Sequence, residues 1–172
     1  MILKKILFAA AASVIASATP LLAQSTLYFG GGINNNADEL ERDDTPFVVG
    51  ILAHSPTGNL LIGGDIAGEG EMLDSTYGTN AIRQAFSFNG LIGSTLSQSQ
   101  TTKVDAAFIL GVRETFSDCP DSFLGYQCYA DEPPETEYTF NYGALVSISF
   151  NNIAVGLRMT EVSTMATVGF SF

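Results

Sequence analysis

Residues 139–160 read TFNYGALVSISFNNIAVGLRMT, two alternating segments joined by a short connection at Asn151 and Asn152. Large apolar residues occupy every second position of both segments, and mostly small or polar residues occupy the positions between them. A period of two is the pattern of a β-strand with one apolar face. The apolar face of this pair carries Phe140, Tyr142, Ala144, Val146, Ile148, Phe150, Ile153, Val155, Leu157 and Met159.

The same alternation occurs eight times along the chain, and no capped helical period follows the first two dozen residues. Segments 46–54 and 59–68 define their register least clearly, because VVGIL and LLIGG also allow a shift by one residue. An even number of consecutive alternating strands predicts an all-β fold, an eight-stranded antiparallel up-and-down barrel. The predicted strands cover about residues 25–34, 46–54, 59–68, 85–96, 102–114, 138–150, 152–160 and 163–172.

Alternation alone does not tell whether the apolar face points into a core or into lipid. The opposite face holds mainly glycine and small polar residues, which fit the crowded interior of an eight-stranded barrel. A soluble lipocalin-like carrier, the alternative, needs an apolar interior and a solvated outside. We therefore expect a transmembrane barrel with its apolar face against lipid.

Few charged residues fall on the inward face of these strands. Asp65 and Arg158 lie at similar depths on opposite walls, so we expect them to pair, because an unpaired ion there would be costly. Asp105 and Arg113 are expected to join the polar network at other levels. So narrow an interior favours a structural role over conduction, and a small channel is the alternative.

The connections between strands alternate between short and long, as in outer-membrane barrels with short periplasmic turns and long external loops. SPTG, SQSQ and NN are short and carry no acid, whereas the long connections hold nearly all of the acidic residues. We expect Glu69, Glu71 and Asp74 to lie in the second long loop. The connection at Glu161 and Val162 is short although the scheme makes it external, which is a departure from the pattern.

The charge of the chain limits its partners. Lys and Arg number 7, Asp and Glu number 18, and the formal net charge is -11. Nucleic acid is therefore not expected as a partner, since it requires a basic patch. Clustered carboxylates in the loops could hold divalent cations, although no stretch matches a calcium-binding loop of the helix-loop-helix type. A solvated acidic rim is the alternative.

Residues 1–23 have the order of a secretory signal peptide: Lys4 and Lys5, a short apolar run, then Pro20 and a small residue, Ala23, before the expected cleavage site. An uncleaved anchor is the alternative, but the run is short for a span. No cysteine follows the site, so a lipoprotein is not expected. Residues 24–172 are then the barrel domain.

Cys119 and Cys128 are the two cysteines of the chain. Export favours a disulfide, and its loop of about ten residues corresponds to about 2 to 3 kcal/mol in the chain-entropy account. Metal binding is the alternative, but no histidine lies nearby to complete a zinc site.

In the last predicted strand Val168, Phe170 and Phe172 fall on the lipid face. A terminal Phe in such a strand is similar to the C-terminal signature of bacterial outer-membrane barrels. In size and strand number the chain resembles the OmpA-type transmembrane domains and OmpX-like proteins. The resemblance implies an exported protein of the bacterial outer membrane that contacts lipid and lipopolysaccharide, and whose C-terminal strand is read by the barrel assembly machinery. It also implies a structural or surface-interaction role.

The chain has no Trp, so any aromatic girdle must consist of Phe and Tyr. We expect Phe150 and Phe172 at the periplasmic rim and Phe47, Phe86 and Phe140 towards the outer rim.

His54, the only histidine of the sequence, is adjacent to Ser55, and this pair suggests a catalytic site. The chain is similar in barrel size to the outer-membrane lipid A deacylases, which use a Ser, a His and an acidic residue near the external rim of an eight-stranded barrel. However, His54 is expected at a periplasmic turn, and neighbouring strand residues point to opposite faces. We expect a polar turn there, no enzyme activity and no cofactor, with a lipid-modifying enzyme as the alternative.

Overall fold

The computed structural model describes residues 25–36, 44–56, 58–74, 81–118 and 135–172. There the chain forms eight antiparallel strands, each bonded to the next, and β8 returns to β1 to close a barrel. The prediction of an eight-stranded up-and-down barrel is confirmed. In these ranges no helix is long and apolar enough to cross a membrane. The strands are β1 (Ser25–Asn34), β2 (Phe47–His54), β3 (Leu60–Asp74), β4 (Ala81–Gln98), β5 (Thr102–Asp118), β6 (Glu135–Phe150), β7 (Ile153–Thr160) and β8 (Ser163–Ser171).

The barrel closes where β1 and β8 pair, from Thr26 opposite Ser171 to Asn34 opposite Ser163. One further rung follows, because Ser25 and Phe172 exchange backbone hydrogen bonds of 3.0 and 2.9 Å. Closure leaves no unpaired strand edge along the wall, as the hydrocarbon layer requires.

The outside of the wall is apolar. Phe150 and Phe140 on β6 are both exposed and lie ten residues apart. At the rise and tilt of barrel strands this separation corresponds to a belt about 25 Å tall. Phe47 and Phe86 lie at its outer margin in edge-to-face contact, with ring centroids 6.2 Å apart. Such a belt on a closed antiparallel barrel is the surface of a protein that spans a bacterial outer membrane.

Four strands are longer than the sequence predicts, all at the external end. β3 continues to Asp74, β4 begins at Ala81, β5 continues to Asp118 and β6 begins at Glu135. The expectation that Glu69 and its neighbours lie in a loop is therefore wrong. Beyond the belt both faces of a strand meet water or other polar groups, so the apolar alternation ends while the hydrogen-bonded ladder continues.

The outer end of β3 bends across the external mouth of the barrel. Its pairing with β2 ends where Gly68 faces Phe47, and its register with β4 then shifts. Gly70 adopts a φ of 71°, which favours glycine. Beyond this bend Leu73 and Asp74 pair in parallel with β5. The β3–β4 hairpin therefore covers part of the mouth.

Several expectations fall outside the described residues. These are the signal peptide at residues 1–23, the cysteines Cys119 and Cys128, and most of the acidic connections.

Two glycines of β4 test which face is crowded. A Cβ on inward-facing Gly93 would overlap the backbone at Ala106 and Ala107, whereas the nearest atom to a Cβ on outward-facing Gly90 lies 3.7 Å away. We expect Gly93→Ala to lower the free energy of unfolding by about 1 to 3 kcal/mol, and Gly90→Ala to leave it unchanged or slightly higher. The measurement is a urea series scored by the mobility of unheated protein on gels. Equal midpoints for the two variants would contradict the assignment of faces.

Candidate functional site

The centre of the barrel holds one arginine between two carboxylates. Arg158 points inward from β7, is fully buried, and donates from Nε to Asp65 Oδ2 over 2.9 Å and from Nη2 to Asp65 Oδ1 over 3.2 Å. It also donates from Nη1 and Nη2 to Glu69 over 2.9 and 3.1 Å. The guanidinium is thus held by two forked pairs, the strongest geometry for this group.

A second layer of donors surrounds the carboxylates. Asp65 accepts from the Tyr28 hydroxyl over 2.8 Å and from the Asn89 amide over 2.7 Å. Glu69 accepts hydrogen bonds from Ser87, Asn141, Thr160 and Ser163. These donors come from β1, β4, β6, β7 and β8, so the network joins the walls of the barrel across its interior.

Arg113 lies nearer the external mouth and is half-buried. Its Nη1 donates to the backbone oxygens of Glu71 and Glu114 over 3.4 and 3.5 Å. No carboxylate in the described part of the chain lies within 4.0 Å of it, but Glu69 is close enough to interact electrostatically. Arg113 therefore lies outside the hydrogen-bonded central network and bonds to backbone oxygens.

A separate cluster lies near the short turns. Asp105 is buried and accepts from Thr95 over 2.7 Å, and its other oxygen lies 2.9 Å from His54 Nε2 and 3.9 Å from Lys103 Nζ. The expectation that His54 is a polar turn residue is wrong. His54 is the last inward position of β2 and is buried, because its partner on β5 lies inside the barrel.

Apolar side chains lie between the two polar clusters along the strands. On β4 Leu91 lies between Thr95 and Asn89, and on β6 Leu145 lies between Ser147 and Asn141. They belong to a buried cluster that the sequence analysis did not anticipate. This layer separates the two polar clusters and favours a filled barrel over an aqueous pore. The cluster consists of Tyr28, Val48, Leu52, Leu61, Ala67, Leu91, Ala107, Ile109, Leu145 and Met165.

The structure thus brings Asp65 and Arg158 together and places Asp105 and Arg113 in other surroundings at the two ends. Sequence analysis missed Glu69, whose signal is its even spacing from Asp65: residues 65, 67 and 69 share one face of a strand. In the central network each carboxylate oxygen accepts more than one hydrogen bond, so the arrangement leaves no free base and suits a structural role.

The expected C-terminal signature lies on the lipid face of the closing strand. Val168 and Phe170 point outward and are about half exposed, and Phe172 ends the chain beside Ser25.

Comparison with known proteins gives structural neighbours only. No family model and no curated protein matches the chain. The neighbours include the crystal structure of Ail, the attachment invasion locus protein of Yersinia pestis, in complex with the heparin analogue sucrose octasulfate. That structure is 10% identical, with a TM-score of 0.48, over 87% of this chain and 96% of that chain. Ail in a phospholipid bilayer nanodisc is 11% identical, with a TM-score of 0.48, over 87% and 99%.

The central network predicts a large effect for loss of the arginine. Arg158→Ala leaves two buried carboxylates without their main partner, so we expect the free energy of unfolding to fall by about 3 to 5 kcal/mol. Arg83→Ala is the matched control, because Arg83 pairs with Asp74 but its side chain is 58% exposed. We expect this variant to lose about 1 kcal/mol or less of its free energy of unfolding. Urea unfolding in detergent measures both. Similar losses for the two variants would show that the central network contributes nothing special.

Proposed function

We propose that this protein acts at the bacterial surface, where its barrel anchors an extended external sheet and acidic loops that contact another surface. The observation that carries the proposal is the length of β3–β6 beyond the outer margin of the belt. A protein with only an anchoring role needs no such extension, since strands of about ten residues already cross the membrane.

The outer end of β6 offers a free strand edge. β6 pairs with β5 as far as Glu135 opposite Asp118, but with β7 only from Gly143 opposite Thr160. In the described part of the chain, residues 135–142 therefore have a strand on one side only. An unpaired edge of this kind can bind an extended segment of another protein by adding it to the sheet.

Within the described ranges, the outer end of β4 also has an edge without a neighbouring strand, but a side chain bonds to its backbone. β4 pairs with β5 only from Ser87 onward, and the Glu114 carboxylate accepts a hydrogen bond of 3.1 Å from the backbone N–H of Phe86. Gln84 also uses its side chain to donate to the backbone at Thr45 and Gly68. Gln84 thus bonds on the side of β2 and β3, whereas Glu114 occupies a backbone donor on the β4 edge that faces β5, which makes β6 the better docking edge.

The charge of the external end favours a basic partner. Glu135 and Glu137 lie on the free strand and are exposed, and the adjoining connections of the sequence are rich in acids. Opposite charge accelerates encounter and discriminates against anionic surfaces. We also propose that divalent cations bridge these loops to neighbouring lipopolysaccharide, and that Cys119 and Cys128 form a disulfide in the third loop.

The remaining parts of the proposal concern export and assembly. The signal peptide at residues 1–23 directs export, and the assembly machinery reads Val168, Phe170 and Phe172 of the closing strand. Lipid and lipopolysaccharide surround the belt. We propose a non-enzymatic role, because His54 is engaged with Asp105 inside the barrel, away from the external leaflet where a lipid-modifying site would need it.

Adjacent proline variants test the free edge. Neighbouring residues of a strand direct their N–H groups to opposite sides, so Thr139→Pro and Phe140→Pro each remove one donor, one towards β5 and one towards the free edge. The variant that removes the donor at the free edge should still fold, and it is recognised by a wild-type gel mobility shift on heating. We expect cells that express this variant to lose most of their adhesion to a lysine-rich protein surface. A heparin-coated surface is the control for charge. The proposal fails if expressing cells and cells lacking the protein adhere equally to basic, neutral and anionic surfaces.

Divalent cations provide an independent test of the loops. We expect millimolar magnesium or calcium to slow cleavage of the external connections by added protease in outer-membrane vesicles, since bridged carboxylates hold the loops to the lipopolysaccharide surface. Cleavage fragments are followed by mass spectrometry, with sodium at equal ionic strength as the control. Equal cleavage rates under the two conditions would rule out cation bridging.

A further inference from the structure

The end of the barrel opposite the acidic loops contains a polar pocket of about 350 Å³. It lies among the β4–β5 turn, the β6–β7 turn and the end of β8. Its size falls within the range of small-ligand sites. The side chains that matter here are Gln98, Gln100, Thr101, Lys103, Ser149 and Asn151.

Backbone hydrogen bonds hold the rim of the pocket in place. Ser99 N–H donates to Thr102 within the first turn over 2.8 Å, and Asn151 N–H donates to Thr101 over 2.9 Å, which ties the two turns together. Ser171 N–H donates to Asn152 over 2.8 Å and ties the last strand to the second turn. A ligand would therefore meet a preformed site and would not need to order loops on binding.

Most side chains that line the pocket are uncharged and can both donate and accept hydrogen bonds. Amide and hydroxyl side chains dominate, Phe172 adds one aromatic residue, and neither Asp nor Glu lines this pocket in the part of the chain that the structure describes. Its one cation, Lys103, lies 3.9 Å from Asp105, which offsets its charge. The lining suits a ligand with many groups that both donate and accept hydrogen bonds, and it does not suit an apolar or strongly charged one.

We propose that this pocket binds a carbohydrate, with Gln98, Gln100 and Asn151 hydrogen-bonding to the hydroxyl and acetamido groups of an N-acetylated glycan. The site is independent of the external sheet and faces the opposite compartment. The protein then contacts a glycan on one side of the membrane and a partner surface on the other.

The test uses the protein in lipid nanodiscs, because detergents with sugar headgroups would compete for the pocket. Chitotriose, a trimer of N-acetylglucosamine, is titrated while backbone amide resonances are followed by NMR. We expect saturable shifts confined to residues 98–103 and 149–152. The double variant Gln98→Ala, Gln100→Ala removes two exposed amides and is expected to weaken binding by about tenfold or more.

Two further variants keep the result interpretable. Asn151 has a φ of 53°, so Asn151→Gly removes its amide while keeping the turn conformation, and we expect weaker binding again. Asn36→Ala, at the external mouth, is the matched control and should bind as the wild type does. Absence of saturable shifts, or equal affinity in the double variant, would overturn the proposal. Shifts at Lys103 with inorganic phosphate and none with chitotriose would also overturn it, in favour of an anion site.

Discussion

Arg158 lies inside a filled barrel where water does not reach it, and a buried charge is tolerated only with partners. This constraint determines much of the interior. Two carboxylates accept four hydrogen bonds from the guanidinium, and their remaining lone pairs require donors from other strands. The arrangement gains little net free energy, since desolvation of the ions nearly cancels their attraction. What it provides is specificity: a shift of β3 by one residue against its neighbours would turn Asp65 and Glu69 from the interior to the lipid face, away from Arg158.

The same constraint explains which parts of the protein its sequence predicts. Lipid requires apolar residues at every second position within the belt, so the alternation gives the strand number, the faces and the closed barrel. Outside the belt this requirement disappears, and the strand extension that contains Glu69 and Glu71 has no apolar alternation; only the even spacing of Glu69 from Asp65 indicates its inward direction. The sequence also places Asp65 and Arg158 at one depth. It does not reveal His54 beside Asp105, because the apolar pattern ends at Ala53 and leaves His54 next to a turn, whereas the residue is the last inward position of β2.

The two ends of the barrel differ in composition because they face different surroundings. The apolar layer around Leu91 and Leu145 separates the Asp105 cluster from the Arg158 network, and in the described residues no side-chain hydrogen bond joins the two. The turns at the short end are fixed by backbone hydrogen bonds and carry neutral side chains. The external end carries long strands and acidic groups. This division is what allows the two proposed contacts, one at each end of the barrel, to be independent of each other.

The external sheet also has to avoid unwanted pairing. A free strand edge invites aggregation as well as recognition, and natural sheets protect edges with charge or with covering side chains. Glu114 meets this need at β4 by accepting the hydrogen bond that the Phe86 N–H would otherwise donate to a foreign strand. In the part of the chain that the structure describes, β6 has exposed Glu135 and Glu137 and no capping side chain at this edge. In the proposed function, charge at this edge repels a second copy of this acidic chain and admits a basic segment, so the same residues provide protection and selectivity.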